Sequence, residues 1–372
     1  MLKRIGLLSL LSLILAAVLM VSAVPALAQD STYVDQCTTA PTEATAEATP
    51  APDNSKISVE VILPNPRGDR SFIDTAAAGA ERAFKELGVT GKIVELNGVP
   101  EQDAGLRRAV QDKPTLIIGI AMEADTIEEV ATDFPDQKFA AQETFFPELP
   151  DLPNLALYNI TTHENSYLAG IAAGMLTRTK KVGAVGGLDI PSINMFIVGY
   201  EEGVKSVCAD CQVDKAYVGG FSDPVKGKEL ANGLYAGGDD IVYQVAGRSG
   251  EGVLEAAKDT GNFAIGVDTN QDDLYPGSII VSALKRTDNA VYAFVKSAVD
   301  GTFAPGLTTV GLKEGFTGLS WDVGVCSRTF DKTGPKDMVD KLPAVRAAID
   351  AARAKILSGE IKVTNTLDAP AS

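Results

Sequence analysis

Reactive groups are sparse in this 372-residue chain and fall into three sets: one histidine, four cysteines, and a series of glycine turns flanked by polar residues. A lone imidazole excludes the histidine-rich metal sites and leaves a Ser-His-Asp arrangement without a nucleophile signature beside it. His163, in Thr161-Thr-His-Glu-Asn165, stands just before a helix start, where a polar surface or capping role is expected. Cys208-Ala-Asp-Cys211 has C-x-x-C spacing, yet no second such pair completes a zinc site, and the reading is a local structural disulfide. Cys37 and Cys326 then pair by elimination and tie the N-terminal tail to the C-terminal region. The glycine turns point to binding. They read Lys181-Val-Gly-Ala-Val-Gly-Gly-Leu-Asp-Ile-Pro191, Tyr217-Val-Gly-Gly-Phe221, Val245-Ala-Gly-Arg-Ser-Gly250 and Ile265-Gly-Val-Asp268. In a parallel α/β sheet, ligands sit at the carboxyl ends of strands, where helix N-termini offer free N–H groups. Gly247-x-x-Gly250-x-Gly252 precedes a helix but lacks the Lys-Ser/Thr of a phosphate-binding loop.

Strands and helices must hold these turns in place, and the apolar pattern supplies them. Ile57–Leu63 alternates and then becomes wholly apolar, as a strand entering a buried sheet does. Phe72–Leu87 has helical apolar spacing, small residues Ala77, Ala78 and Ala80 for close packing, and Gly88 as its stop. Lys92–Leu96, Thr115–Gly119, Lys138–Ala141 and Asn154–Tyr158 read as further strands, with helices over Ala104–Gln111 and Asp125–Asp133. Helices at Glu164–Thr177, Ile193–Val207, Pro224–Tyr235 and Glu251–Lys258 separate the strands that carry the glycine turns. Strict alternation of this kind implies parallel sheets covered by helices on both faces. One sheet of roughly ten strands is larger than usual, so two similar lobes of about five strands each, facing across a cleft, are expected. Ser278–Lys285 adds a strand, and Thr287–Val299 a helix that returns to the first lobe. Leu307–Trp321 is expected to supply a late strand pair and Met338–Leu357 one long terminal helix. The first lobe then comprises residues 56–160 plus 286–306, and the second 161–285 plus 307–372.

Composition narrows the function further. A net charge of −16 opposes nucleic acid, which calls for a basic footprint, and 45% hydrophobic with 22% charged residues is ordinary for a globular protein. Met1-Leu-Lys-Arg4, the apolar run from Ile5 to Val24 and Ala26-Leu-Ala28 form an export signal with an A-x-A cleavage site, placing residues 1–28 in the leader. The apolar run is long enough to leave an uncleaved anchor as the alternative. Residues 29–55, rich in Thr, Ala, Pro and Glu, lack the aliphatic anchors that an ordered core needs and read as a linker.

Six motifs occur together: Glu164-Asn-Ser-Tyr-Leu-Ala-Gly170, Val185-Gly-Gly-Leu-Asp-Ile-Pro191, Tyr217-Val-Gly-Gly-Phe-Ser-Asp-Pro224, Gly227-Lys-Glu-Leu-Ala231, Gln244-Val-Ala-Gly247 and Gly266-Val-Asp-Thr-Asn-Gln271. In this order and spacing, over roughly Ile57 to Gly318, they resemble the basic membrane protein family of ABC transporter substrate-binding proteins, which is similar to the purine nucleoside receptor lipoproteins. The resemblance implies a type I periplasmic binding protein, an α/β fold of two doubly wound parallel-sheet lobes joined by a hinge with a cleft between them. It implies capture of a nucleoside, most often a purine nucleoside, and delivery to the permease and ATPase subunits of an importer. No cofactor, no metal and no catalytic residue are called for. A monomer at the periplasmic or extracellular face of the cytoplasmic membrane is expected. A sensor of the same fold without a transport role, and a nucleoside-processing enzyme, are the alternatives; the enzyme needs a carboxylate cluster or a phosphate site with a proton shuttle.

By the same resemblance, Phe72 and Phe221 hold the base between two rings, and Asp268 accepts ribose hydroxyls. Lys285, in Ser282-Ala-Leu-Lys285, donates to a hydroxyl or pairs with Asp268, with an interlobe salt bridge as its structural alternative. Gly247 allows close backbone approach to a ligand. Departures from the family pattern collect in the first lobe. Ile73-Asp74 replaces Asn-Gln after the phenylalanine, Leu63-Pro-Asn-Pro66 lacks an early aspartate, Ala121-Met122 replaces Gly-Phe, and Glu143 in Gln142-Glu143 is the nearest match to a family aspartate. Asp74 and Glu143 therefore join the expected ligand contacts. Arg248 adds a cation to the second glycine loop and is expected to be solvated.

Overall fold

Strands without a polar face need cover on both sides, and that requirement shapes both halves of the chain. The computed structural model describes residues 52–323 and 328–368. The expected leader, Cys37 and Cys326 lie outside the described residues. The first lobe runs β1 (Asn54–Leu63), α1 (Phe72–Leu87), β2 (Val89–Glu95), α2 (Gln102–Gln111), β3 (Leu116–Ile120), α3 (Ala124–Asp133), β4 (Phe139–Gln142) and β5 (Leu155–Ile160). The chain then enters the second lobe through α4 (His163–Leu176), β6 (Lys181–Gly186), α5 (Pro191–Val207), β7 (Gln212–Tyr217), α6 (Pro224–Ala236), β8 (Ile241–Val245), α7 (Ser249–Thr260), β9 (Phe263–Asp268) and β10 (Ile279–Lys285). It returns for α8 (Thr287–Asp300) and β11 (Gly306–Val310), and crosses again to β12 (Thr317–Leu319) and the terminal helices α9 (Thr329–Thr333), α10 (Lys336–Val339) and α11 (Leu342–Leu357).

Each lobe holds one six-stranded sheet, ordered β11-β5-β4-β3-β1-β2 and β12-β10-β9-β8-β6-β7. All pairings are parallel except β10 with β12. The two orders correspond strand for strand, so the lobes are near copies, and all three crossings lie at the β5–β11 and β10–β12 edges. That edge is the hinge. β3, β8, β9 and β10 are buried at every position, as the uninterrupted apolar runs require.

Several expectations change. β1 begins at Asn54, inside the stretch expected to be linker. β11 and β12 do not pair with each other; β11 aligns beside β5 and β12 beside β10, so the first lobe's second segment extends through Val310 rather than stopping at 306. A strand-like pattern identifies a strand but not its partner. The terminal helix starts at Leu342 because Pro343 is tolerated only in a helix's first turn, and Met338 belongs to the separate α10. His163 is buried rather than on the surface: glycines bring α4 and α5 so close that a Cβ on Gly199 would lie 2.2 Å from the His163 carbonyl oxygen. Burial lowers the pKa of its imidazole. Cys208 and Cys211 form a disulfide at the C-terminal end of α5.

Candidate functional site

The carboxyl ends of the two sheets face each other and touch. Ser71 Oγ donates to Asp268 Oδ2, Gln271 Nε2 donates to the Arg70 carbonyl oxygen at 2.9 Å, and Lys285 Nζ pairs with Glu143 Oε2. In each case one partner follows a strand of the first lobe and the other ends, or follows, a strand of the second.

The first wall is built by the loop between β1 and α1. Asp69 is buried there, and its carboxylate accepts the N–H groups of Ser71 at 3.0 Å, Ile73 at 2.9 Å and Asp74 at 3.0 Å. These are donors at the start of α1 that have no partner within the helix, and the helix dipole favours a negative charge at the same place. Burial nonetheless raises the Asp69 pKa. Asp74 Oδ1 accepts from Gly68 N at 2.7 Å and Oδ2 from Arg70 N at 2.9 Å, holding a turn in which both residues have positive φ. Both oxygens of Asp74 are thus engaged within the loop that presents Ser71 and half-buried Phe72.

At the end of β4, Glu143 adopts a left-handed backbone conformation, φ 58°. Its Oε1 accepts the Ile160 N–H at 3.1 Å and its Oε2 meets Lys285. The Lys285 ammonium also lies over two rings, 5.2 Å from the centroid of Phe72 and 5.3 Å from that of Phe196 on α5. Of the two partners expected for Lys285 inside the protein, the direct one is Glu143 across the lobes, not Asp268.

Asp268 closes β9 with φ 64° and is buried. Burial pushes its carboxyl up to about 6, against the opposing pull of the Lys285 charge and the Ser71 hydrogen bond. Behind it, Gln271 Oε1 accepts Val267 N at 3.0 Å and Gln244 Nε2 at 2.8 Å, which aims its own Nε2 at the first lobe. Asp272 is buried and accepts the hydroxyls of Ser282 and Ser320, each at 2.7 Å; burial raises it to about 7. Phe221 is half-buried against the glycine turns. A Cβ on Gly187 would fall 2.2 Å from its Cε1, and one on Gly247, φ 54°, would fall 3.4 Å from its Cβ, so both glycines make room for this side chain. Ser249 fixes the loop by donating its N–H to the Phe221 carbonyl oxygen at 3.1 Å. Arg248 is exposed and makes no ion pair among the described residues.

The structure therefore gathers Phe72, Glu143, Asp268 and Lys285 into one interlobe cluster, keeps Phe221 and Gly247 together on the second wall, and draws Asp74 back into its own loop. Sequence reasoning missed Ser71, Asp69, Phe196 and Gln271. Ser71 immediately precedes a helix and Gln271 ends the last of the six motifs, which were signals; Phe196 has only the apolar periodicity of any core residue.

A family model described as ABC transporter substrate-binding protein PnrA-like, Bmp, matches residues 56–365. The ABC transporter nucleoside-binding protein BmpA of Lactococcus lactis subsp. cremoris is 32% identical over 277 residues, spanning 68% of this chain and 78% of that protein. Basic membrane protein D of Borreliella burgdorferi is 31% identical over 267 residues, spanning 70% and 78%. Among solved structures, an ABC transporter solute-binding protein from Aeropyrum pernix K1 aligns with TM-score 0.73 at 31% identity, covering 83% of this chain and 93% of that one. The lac repressor dimer aligns with TM-score 0.52 at 12% identity, covering 70% and 91%, a likeness of fold alone.

Proposed function

From the premise that the chain belongs to the PnrA-like, or Bmp, family of ABC transporter substrate-binding proteins, whose partners are a small-molecule ligand and an ABC transporter, we propose that its ligand is a nucleoside held between the two lobes. The observation that carries this reading is the composition of the opposed walls: a half-buried phenylalanine on each, and a buried carboxylate with a hydroxyl and a lysine at the same interface. Phe72 and Phe221 offer faces for a flat ring, and stacking of this kind contributes about 1–3 kcal/mol per base. Asp268, an acceptor-only group when ionised, takes the sugar hydroxyls, which compete with the Ser71 hydroxyl for its oxygens. Lys285 supplies a donor beside it, and the backbone at Gly247 lets the ligand approach the second wall.

Ligand that touches both walls favours the closed arrangement over an open one, and the transporter distinguishes the two shapes. One chain contains both walls, so a monomer suffices. The protein works outside the cytoplasmic membrane in this reading, and it releases its ligand unchanged. No helix among the described residues is long and apolar enough to cross a membrane. A thermal-shift panel of nucleosides, free bases and sugars tests the assignment. Nucleosides at a hundred times their Kd raise stability by about 2.7 kcal/mol. A response to free sugars with none to any nucleoside refutes it, and release of free base on incubation refutes the absence of chemistry.

A further inference from the structure

Recognition of one particular ring requires donors and acceptors set against its edge, and most polar side chains of the first wall are already committed. Asp69 holds three N–H groups and Asp74 two. Glu143 is shared between Ile160 and Lys285, and Thr144 Oγ1 donates to the Met122 carbonyl oxygen at 3.1 Å. Gln142, the residue that ends β4 beside Glu143, is committed only in part. It is fully buried, its Nε2 donates to Thr287 Oγ1 at 3.2 Å, and its Oε1 has no partner among the described residues. Gln142 and Thr287 adjoin the two ends of the Glu143–Lys285 bridge, Gln142 directly before Glu143 and Thr287 two residues after Lys285.

A buried amide oxygen without a partner is costly to leave so, and a ligand group satisfies it. The pairing with Thr287 adds a second property. A hydroxyl donates and accepts equally well, so the Gln142 amide keeps that bond when it turns over, and it presents either its oxygen or its NH₂ to what lies in front of it. Building on the nucleoside reading, we propose that Gln142 is the side chain that reads the ligand's ring, and that its reversible amide makes the site tolerant of several bases rather than selective for one. A rigid hydrogen-bonding site rejects mismatched rings by roughly 10⁴-fold or more, whereas an amide that adapts to either pattern does not. Discrimination then rests on the hydroxyl-bearing half, through Asp268.

Isothermal titration of the intact chain with adenosine, guanosine, inosine, uridine and cytidine decides. The expected spread of Kd is within about a hundredfold; a wider spread overturns the proposal while leaving the nucleoside reading in place. Binding of none of the five overturns both. In Gln142→Glu the group becomes acceptor-only, so rings presenting an acceptor at that edge weaken more than rings presenting an N–H, and the spread grows tenfold or more. A parallel loss for all five, or none, overturns the assignment of Gln142. Should that variant fold poorly, the spread measured on the unsubstituted chain still decides whether the site is tolerant.

Discussion

Replacing Glu143 by glutamine isolates the charge of the interlobe bridge. The amide keeps an oxygen for the Ile160 N–H, which Glu143 now accepts at 3.1 Å, and nearly the same volume. What is lost is the counter-charge of Lys285, and both side chains of the bridge are only 6% exposed. Removing one partner of a buried pair ordinarily costs about 3–5 kcal/mol, because the other charge is left desolvated. Two features lower that figure here. The rings of Phe72 and Phe196 still face the ammonium, at 5.2 and 5.3 Å, and return about 0.5–2 kcal/mol. The lobes can also part at the hinge, which returns Lys285 to water without unfolding either sheet. The penalty therefore falls on closure, not on the global fold. We expect the open–closed ratio to rise by about 2 kcal/mol, some thirtyfold, while the denaturation midpoint of each lobe moves little. Small-angle scattering of the unliganded chain reads the first quantity and urea denaturation the second. Adding Lys285→Met to Glu143→Gln removes the stranded charge and restores the closed population. An unchanged radius of gyration in Glu143→Gln, or a double variant as open as the single one, refutes the view that this pair holds the lobes together.

Asp268→Asn removes a charged acceptor and lowers nucleoside affinity by about 1.5–3 kcal/mol, ten- to 150-fold by calorimetry, without lowering thermal stability, since it also removes a desolvated charge. Affinity in the unsubstituted protein falls as pH drops through about 6, where Asp268 takes up its proton. Asp272 adds a stability effect of defined sign. Its folded value of about 7 lies above that of an unfolded aspartate, so its contribution is fully present below pH 4 and is lost as pH rises through about 7. Melting temperatures compared at pH 5 and pH 8 should differ less in Asp272→Asn than in the parent. Gly203→Ala places a Cβ 2.0 Å from the Tyr167 carbonyl oxygen at the α4–α5 contact and destabilises by at least 1–3 kcal/mol, whereas Gly220→Ala, with nothing within 4 Å, stays within about 1 kcal/mol in the same denaturation assay.

What could be read in advance and what could not divide along a physical line. Helix α1 was legible from end to end because its signals are local: apolar spacing, small residues for α8 to pack on, and Gly88 in the left-handed conformation at its C-terminus. The glycine turns were legible as the carboxyl edge of a sheet for the same reason. The bonds that unite the lobes carry no local signal. Ser71 and Asp268 are 197 residues apart, Arg70 and Gln271 201, and Glu143 and Lys285 142. No periodicity specifies which carboxylate a lysine meets once two separately wound sheets are folded face to face. The fate of Lys285 shows this, since a ligand hydroxyl, Asp268 and a bridge to the other lobe were all open in the sequence. Asp74 shows the converse. Expected as a ligand contact, it instead closes a tight turn in which Gly68 and Arg70 have positive φ. Each sheet therefore rests on short-range chemistry, whereas the contacts that unite the lobes rest on a few long-range pairings.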